Sequence, residues 1–210
     1  MQLLSQLNKS DLENKKVLLR VDFNVAIEDG NISESYKITS NKKSIEYLLD
    51  HGASVACVSH RSEEGESFES VAGEIGTILG RDIYFEKKVE GKAIQSALAN
   101  HKLILVDNIE LRSEEKTNDP KWARELAEGF DMFVFDAFAS AHRSYVTRDG
   151  IMKVLPSYAG FVVASETDAL SDAIDAPMAG KVVVLGGAKI STKLPVIKRF
   201  LDRAERILIG

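Results

Sequence analysis

The stretch Lys16-Val17-Leu18-Leu19-Arg20-Val21-Asp22-Phe23-Asn24-Val25 decides how this chain is read. Its run from Val17 to Val21 is continuous rather than alternating, as in strands buried on both faces of a parallel sheet. Ser54 to Ser59, Leu103 to Val106 and Met132 to Phe135 have the same character and read as further inner strands. Segments of helical spacing separate them, such as Ile45, Leu48 and Leu49 followed by Gly52, a residue that favours helix C-termini. Asn118-Asp119-Pro120 marks a helix start, with Asp119 placed to cap and Pro120 in the first turn; Trp122 and Leu126 share a face before Gly129. This alternation predicts an α/β fold, a Rossmann-like parallel sheet with helices on both faces and right-handed crossovers. Such sheets bind ligands beyond the carboxyl ends of their strands, so function is expected just after each strand.

Composition narrows the class. The 210 residues are 44% hydrophobic and 28% charged, which excludes a disordered tail, a collagen-like rod and a disulfide scaffold. With 27 basic against 32 acidic side chains the net charge is -5, so a general electrostatic grip on nucleic acid or anionic lipid is not expected. Cys57, the single cysteine, lies in an apolar run and reads as a buried, inert thiol. No apolar run reaches the ~18 residues of a membrane helix, and the first ten residues do not resemble a signal peptide. The expectation is a soluble, cytoplasmic protein.

Near residues 156 to 180 the pattern breaks. Pro156, Gly160, Pro177 and Gly180 bracket an acidic segment, Ala164 to Asp175, that reads as one helix. The pattern then restarts with a strand at Lys181 to Leu185, a Gly186-Gly187 turn, a helix over Ser191 to Ala204 and a strand at Arg206 to Ile209.

Several strand ends carry chemistry. Asp22 and Asn24 follow the first strand, although both residue types form turns more often than ligand contacts. Ser59-His60-Arg61 follows the second, and Asp136-Ala137-Phe138-Ala139-Ser140-Ala141-His142-Arg143 follows the run at 132 to 135. A histidine beside a guanidinium suits an anionic carboxylate or phosphate, and the competing reading is a solvated basic loop. Gly186-Gly187-Ala188-Lys189-Ile190-Ser191-Thr192-Lys193 joins a strand to a helix that carries two lysines on one face, an arrangement suited to phosphate. The four histidines and one cysteine show no zinc spacing, and there is no G-x-S-x-G elbow. His51 and His101 read as ordinary loop residues.

Taken in order, Arg20-Val21-Asp22-Phe23-Asn24-Val25, Ser59-His60, Asn118-Asp119-Pro120, Asp136-Ala137-Phe138 with Ala141-His142-Arg143, and Gly186-Gly187-Ala188-Lys189 with Lys193 resemble phosphoglycerate kinases. The resemblance implies a substrate domain over 1–160, an interdomain helix within 161–178 and the first β-α-β portion of an incomplete nucleotide-binding domain over 179–210. It implies phosphoryl transfer between ATP and the carboxylate of 3-phosphoglycerate, by positioning and charge neutralisation. Val21, Asp22, Phe23, Asn24, Ser59, His60, His142 and Arg143 are then expected at the substrate. Gly187, Ala188, Lys189 and Lys193 are expected at the nucleotide phosphates. ATP or ADP with Mg is the implied cofactor, with most of its site beyond Gly210 and no metal ligand within these residues. The implied partners are 3-phosphoglycerate or 1,3-bisphosphoglycerate, without nucleic acid or membrane, and a second copy or partner chain on the incomplete second domain.

Three positions depart from the family pattern. The catalytic arginine falls on Lys37, which keeps the charge without the planar fork. Substrate arginines fall on Glu63 and Glu110, with Arg61 and Arg112 as candidate replacements; Arg112 would face the same way as Glu110 if the chain is extended there. Two readings of function follow: a divergent phosphoglycerate kinase or its substrate-domain portion, and a non-catalytic binding or assembly module on the same fold. A generic NAD-binding reading ranks last for want of G-x-G-x-x-G.

Overall fold

Strands buried on both faces need neighbours along each edge and helices above and below, and the chain supplies these in sequence. The computed structural model describes residues 2–61, 65–187 and 190–210. It begins with β1 (Gln2–Leu3), α1 (Lys9–Leu12), β2 (Lys16–Arg20), a hairpin of β3 (Ile27–Glu28) and β4 (Asn31–Ile32), and α2 (Tyr36–Asp50). Next come β5 (Ser54–Val58), α3 (Ala72–Leu79), β6 (Tyr84–Glu86), α4 (Gly91–Asn100), β7 (Leu103–Val106), α5 (Ser113–Thr117) and α6 (Pro120–Ala127). The chain continues through β8 (Met132–Phe135), β9 (Ser157–Ala159), α7 (Phe161–Asp175), β10 (Val182–Leu185), α8 (Ile190–Phe200) and β11 (Arg206–Ile209). Residues up to Ala164 form one compact unit and Ser165 to Gly210 a second.

Among the described residues of the first unit, seven strands make one sheet in the order β1-β9-β8-β2-β5-β7-β6, parallel throughout. The chain works outward from β2 through β5 to β6 and β7, then crosses to the other side of β2 for β8 and β9. The order reverses between β2 and β8, and doubly wound sheets place ligands in the crevice at the carboxyl edge near such a reversal. Register brings distant segments to that edge: Arg20 pairs with Val58 of β5 and with Phe135 of β8. The residues after each strand therefore emerge at one level.

Side chains alternate across the sheet. Leu18, Val58, Val106, Phe133 and Phe135 pack with Ile94, Leu98, Trp122 and Leu126 of α4 and α6. Val17, Leu19, Val55, Cys57, Leu105 and Val134 pack on the opposite side with Ile38, Ile45, Leu48, Ile75 and Leu79 of α2 and α3. Cys57 is buried, and burial pushes its thiol well up, so it stays protonated and inert.

The short apolar runs coincide with β2, β5, β7 and β8 within a residue at each end. The edge strands β1 and β6, and β9 beside β1, were not expected, because two or three residues are too few to show a period. Helix α7 starts at Phe161, before the expected Ala164, and α8 ends at Phe200 rather than Ala204. In the second unit β10 and β11 pair in parallel, Val182 with Arg206 through Leu185 with Ile209. Among the described residues no helix is long and apolar enough to cross a membrane.

Helix α6 shows why its site of initiation was legible. The Asp119 carboxylate accepts the N–H groups of Lys121 at 2.8 Å and Trp122 at 2.9 Å, and Pro120 has no donor to lose. Asp119→Ala is expected to lower stability by about 1 kcal/mol, read as a reduced urea midpoint at unchanged slope.

Candidate functional site

The loop after β2 is held by its own core residues. Val21 and Phe23 are fully buried, which leaves Asp22 and Asn24 at the crevice and only the backbone of the other two available to a ligand. The Asp22 carboxylate accepts the Asn24 N–H at 3.1 Å and lies 3.5 Å from Lys37 Nζ, which also donates to the Asn24 carbonyl at 2.9 Å. Lys37, in the first turn of α2, is thereby brought to the strand end. The buried Ser59 hydroxyl accepts the Phe23 N–H at 2.9 Å and binds the two loops together. Between them lies a cleft of about 810 Å³, lined by Asn24, Val25, Arg61, Glu66 and Ser67 among others.

His60 is the centre of charge. Arg20, two residues before Asp22 and nearly fully buried, directs Nη2 at His60 Nδ1 at 3.0 Å. A guanidinium only donates, so Nδ1 is the acceptor and the proton sits on Nε2. Burial, then the charges of Arg20, Arg143, Lys37 and Lys116, push the imidazole down to about 3. It is neutral at physiological pH and presents an N–H donor. The Arg20 guanidinium is itself lowered, first by burial, while Glu115, Asp22 and Glu110 favour its charge. Its Nη1 is buried with no hydrogen-bond partner.

Glu110 faces the same cations. One of its oxygens lies 3.2 Å from Arg143 Nη1 and the other 3.1 Å from Lys116 Nζ. The two candidate replacements do not join this group. Arg61 pairs with Glu66 and donates to the Ser67 carbonyl. Arg112 pairs with Glu114 at 2.7 Å and lies over the Trp122 ring. The expectation that Arg112 faces with Glu110 fails because Ile109–Leu111 is a 3-10 turn, not extended chain, so the side-chain period is no longer two. His142 is exposed beside Arg143. Glu63, Ala188 and Lys189 lie outside the described residues.

Asp136, at the end of β8, organises the switch point. Asn41 Nδ2 donates to its carbonyl at 2.9 Å and its carboxylate at 3.1 Å; Ser44 Oγ donates at 2.6 Å. The N–H groups of Val162 and Val163, in the first turn of α7, donate at 2.8 and 3.2 Å. Asn41 Oδ1 in turn accepts the Asp22 N–H at 2.9 Å. Burial pushes the Asp136 carboxyl up to about 6, against the stabilising hydrogen bonds. Sequence reading passed over Asn41 and Ser44. The signal was present: Asn41 occupies a core position of the series Ile38, Asn41, Ile45, Leu48 along α2, where a polar residue needs a buried partner. Glu115, buried and bonded to Thr147, had no such signal, nor did Lys116.

In the second unit, the turn from β10 to α8 contains Gly187 at φ +123°, and an added Cβ there would meet Lys193 Cε at 3.4 Å. Lys193 thus lies against the glycine turn. Val182, Val184, Leu208 and Ile209 on β10 and β11 are more than half exposed, at 51%, 72%, 53% and 56%. Among the described residues no group of three or more His, Cys, Asp or Glu is disposed to hold a metal.

Fold and site together define a doubly wound α/β protein with a cationic crevice at its carboxyl edge. The chain belongs to the phosphoglycerate kinase family, whose family model matches residues 7–210. It is 37% identical to phosphoglycerate kinase of Moorella thermoacetica over 99% of this chain and 56% of that one. It is 39% identical to that of Thermosipho africanus over 95% of this chain and 52% of the other. The crystal structure of phosphoglycerate kinase from Pyrococcus horikoshii OT3 superposes with a TM-score of 0.88 at 28% identity, covering 100% of this chain and 55% of that one. The Coxiella burnetii phosphoglycerate kinase structure gives 0.80 at 29%, over 99% and 54%. The chain spans about half the length of the curated relatives it matches.

Two titrations oppose one another. His60, moved from 6.5 to about 3, lets the unfolded chain bind more protons between those values, so its contribution to stability is lost as pH falls through that window. Asp136, moved from 3.8 to about 6, makes the folded chain the stronger proton binder between them, so its contribution grows as pH falls. The Asp136→Asn variant, keeping only the first, should lose stability on acidification from pH 6 to 4 more steeply than the parent in urea titrations. Carbon-detected NMR should give Asp136 a midpoint near 6 and leave His60 neutral at that pH. Gly160 lies under the same carboxylate: an added Cβ would sit 2.3 Å from Asp136 Cγ. Gly160→Ala is expected to cost about 1–3 kcal/mol by displacing it, read from the thermal midpoint.

Proposed function

We propose that this chain carries the 3-phosphoglycerate-binding part of a phosphoglycerate kinase, with the first nucleotide-phosphate elements behind it. The reaction is phosphoryl transfer between ATP and the substrate carboxylate, in which the protein acts by positioning and neutralising charge. One observation carries this reading: Arg20 meets His60 at 3.0 Å at the carboxyl edge of the sheet, Lys37 is drawn to the strand end by Asp22 and the Asn24 carbonyl, and Arg143 and Lys116 are gathered on Glu110. Such a cluster raises the local concentration of a small anion despite a net charge of -5. Family membership favours this over a non-catalytic binding module.

Within that reading residues 1–160 form the substrate domain, 161–178 the interdomain helix and 179–210 the first β-α-β portion of the nucleotide domain. Asp22 and Asn24 orient the substrate hydroxyl region. His60 donates its Nε2 proton to an anionic oxygen, with His142 and Arg143 on the same group. Lys37 takes the position of the catalytic arginine and neutralises charge that develops on the transferring group, without bidentate geometry. Gly187 and Lys193 face the nucleotide phosphates, the glycine through close backbone approach and the lysine as a point charge, with Ala188 and Lys189 assigned to the same phosphates by the family motif. ATP bound with Mg supplies the transferable phosphoryl group. The exposed apolar side chains of β10 and β11 suit cover by further chain or a second copy, since parallel sheets are buried on both faces. A free, buried Cys57 accords with a reducing, cytoplasmic setting.

Titration of 3-phosphoglycerate into the isotopically labelled chain should move the amide signals of Asp22, Asn24, His60 and Arg143, with affinity falling as salt rises. Lys37→Ala and His60→Ala should each weaken binding about tenfold, the loss of one charged or donor contact. A folded chain whose signals at those four residues ignore millimolar 3-phosphoglycerate removes the proposal.

A further inference from the structure

Resting on the substrate reading above, we infer that Glu110 is an internal counter-ion occupying the seat between Arg143 and Lys116 that an anionic group of the ligand takes, so that a phosphate enters only by displacing it. The two carboxylate oxygens are divided between the two cations, at 3.2 Å from Arg143 Nη1 and 3.1 Å from Lys116 Nζ. This is how two oxygens of a phosphate would be divided between them. The Glu110 side chain is 11% exposed while Arg143 and Lys116 are 36% and 44% exposed, so the two cations stay open to a competing anion from solvent. Its backbone is fixed independently: the Glu110 N–H donates to Asn108 Oδ1 at 3.0 Å, in a turn capped by that same side chain. Its carboxylate is held by the two ion pairs, and a competing anion can take both cations without unfolding the turn.

No nearby arginine makes up for the two occupied cations. Arg61 is spent on Glu66 and Arg112 on Glu114. Arg20 keeps a buried Nη1 without a hydrogen-bond partner, and Lys37 remains with Asp22 and the Asn24 carbonyl. Arg20 is too deeply buried to reach a ligand and Lys37 is shared with Asp22, whereas Arg143 and Lys116 both direct their charge at Glu110. An acid with a single anionic group can meet Lys37 without disturbing Glu110; an acid that also bears a phosphate must displace Glu110 to reach Arg143 and Lys116. Glu110 thus sets the discrimination between phosphorylated and unphosphorylated acids.

The test compares glycerate, 3-phosphoglycerate and inorganic phosphate on the parent chain and on Glu110→Gln by calorimetry. The variant should gain about tenfold or more for the two phosphate-bearing ligands, and little for glycerate, because a like charge leaves the phosphate seat. Adding Arg143→Gln to Glu110→Gln should cancel that gain. Equal or weaker phosphate binding by a folded Glu110→Gln chain overturns the inference while leaving the substrate reading intact. Absence of anion binding by both folded chains overturns the two together. Should Glu110→Gln not fold, the parent decides: bound phosphate must shift the Glu110 carboxyl carbon signal, and an unmoved signal with phosphate bound at Arg143 refutes displacement.

Discussion

A carboxylate buried in a protein core has to be surrounded by donors, and Asp136 meets that constraint with side chains and backbone from two helices. Asn41 and Ser44 come from α2, and Val162 and Val163 from the start of α7. The same Asn41 reaches back to the Asp22 N–H, so the ends of β2 and β8 are tied across the switch point. Gly160 is required where the backbone passes over the carboxylate. Four segments of the chain thereby meet at one point, which is where the sheet reverses its order.

Charge at the crevice is distributed rather than concentrated. Lys37 leans on Asp22, Arg143 and Lys116 share Glu110, and Arg61 and Arg112 each keep a private carboxylate. Arg20 differs, because its strand position buries it and its neighbour is an imidazole rather than an acid. A guanidinium, which only donates, beside His60 Nδ1 fixes which ring nitrogen carries the proton. The histidine is a neutral donor held in place, not a charged one.

The inner strands β2, β5, β7 and β8 were legible because burial on both faces demands unbroken apolar runs, and α6 because Asp119-Pro120 is a local signal. The short edge strands were not, since their pairing depends on which neighbour the chain returns to. At the site, Asp22, His60 and Arg143 were visible as strand-end residues. Arg112 was misjudged for a local reason: an isolated tripeptide, Ile109 to Leu111, does not reveal whether it extends or turns. Asn41 was hidden in plain periodicity, a polar residue where the helix face called for an apolar one.

By itself the sequence determined the α/β class, the inner strands β2, β5, β7 and β8 and the polar residues that follow them, because period, apolar runs and capping residues act over a few neighbours. The ordered motifs also carried the resemblance to phosphoglycerate kinases, the family to which the chain belongs. Only the tertiary structure decided which charges meet: that Glu110 faces Arg143 and Lys116, that Arg20 turns to His60, and that α7 is capped by a residue from another strand. Those contacts are set by parallel register and by which cation lies nearest through space, and neither is written in any local stretch of the chain.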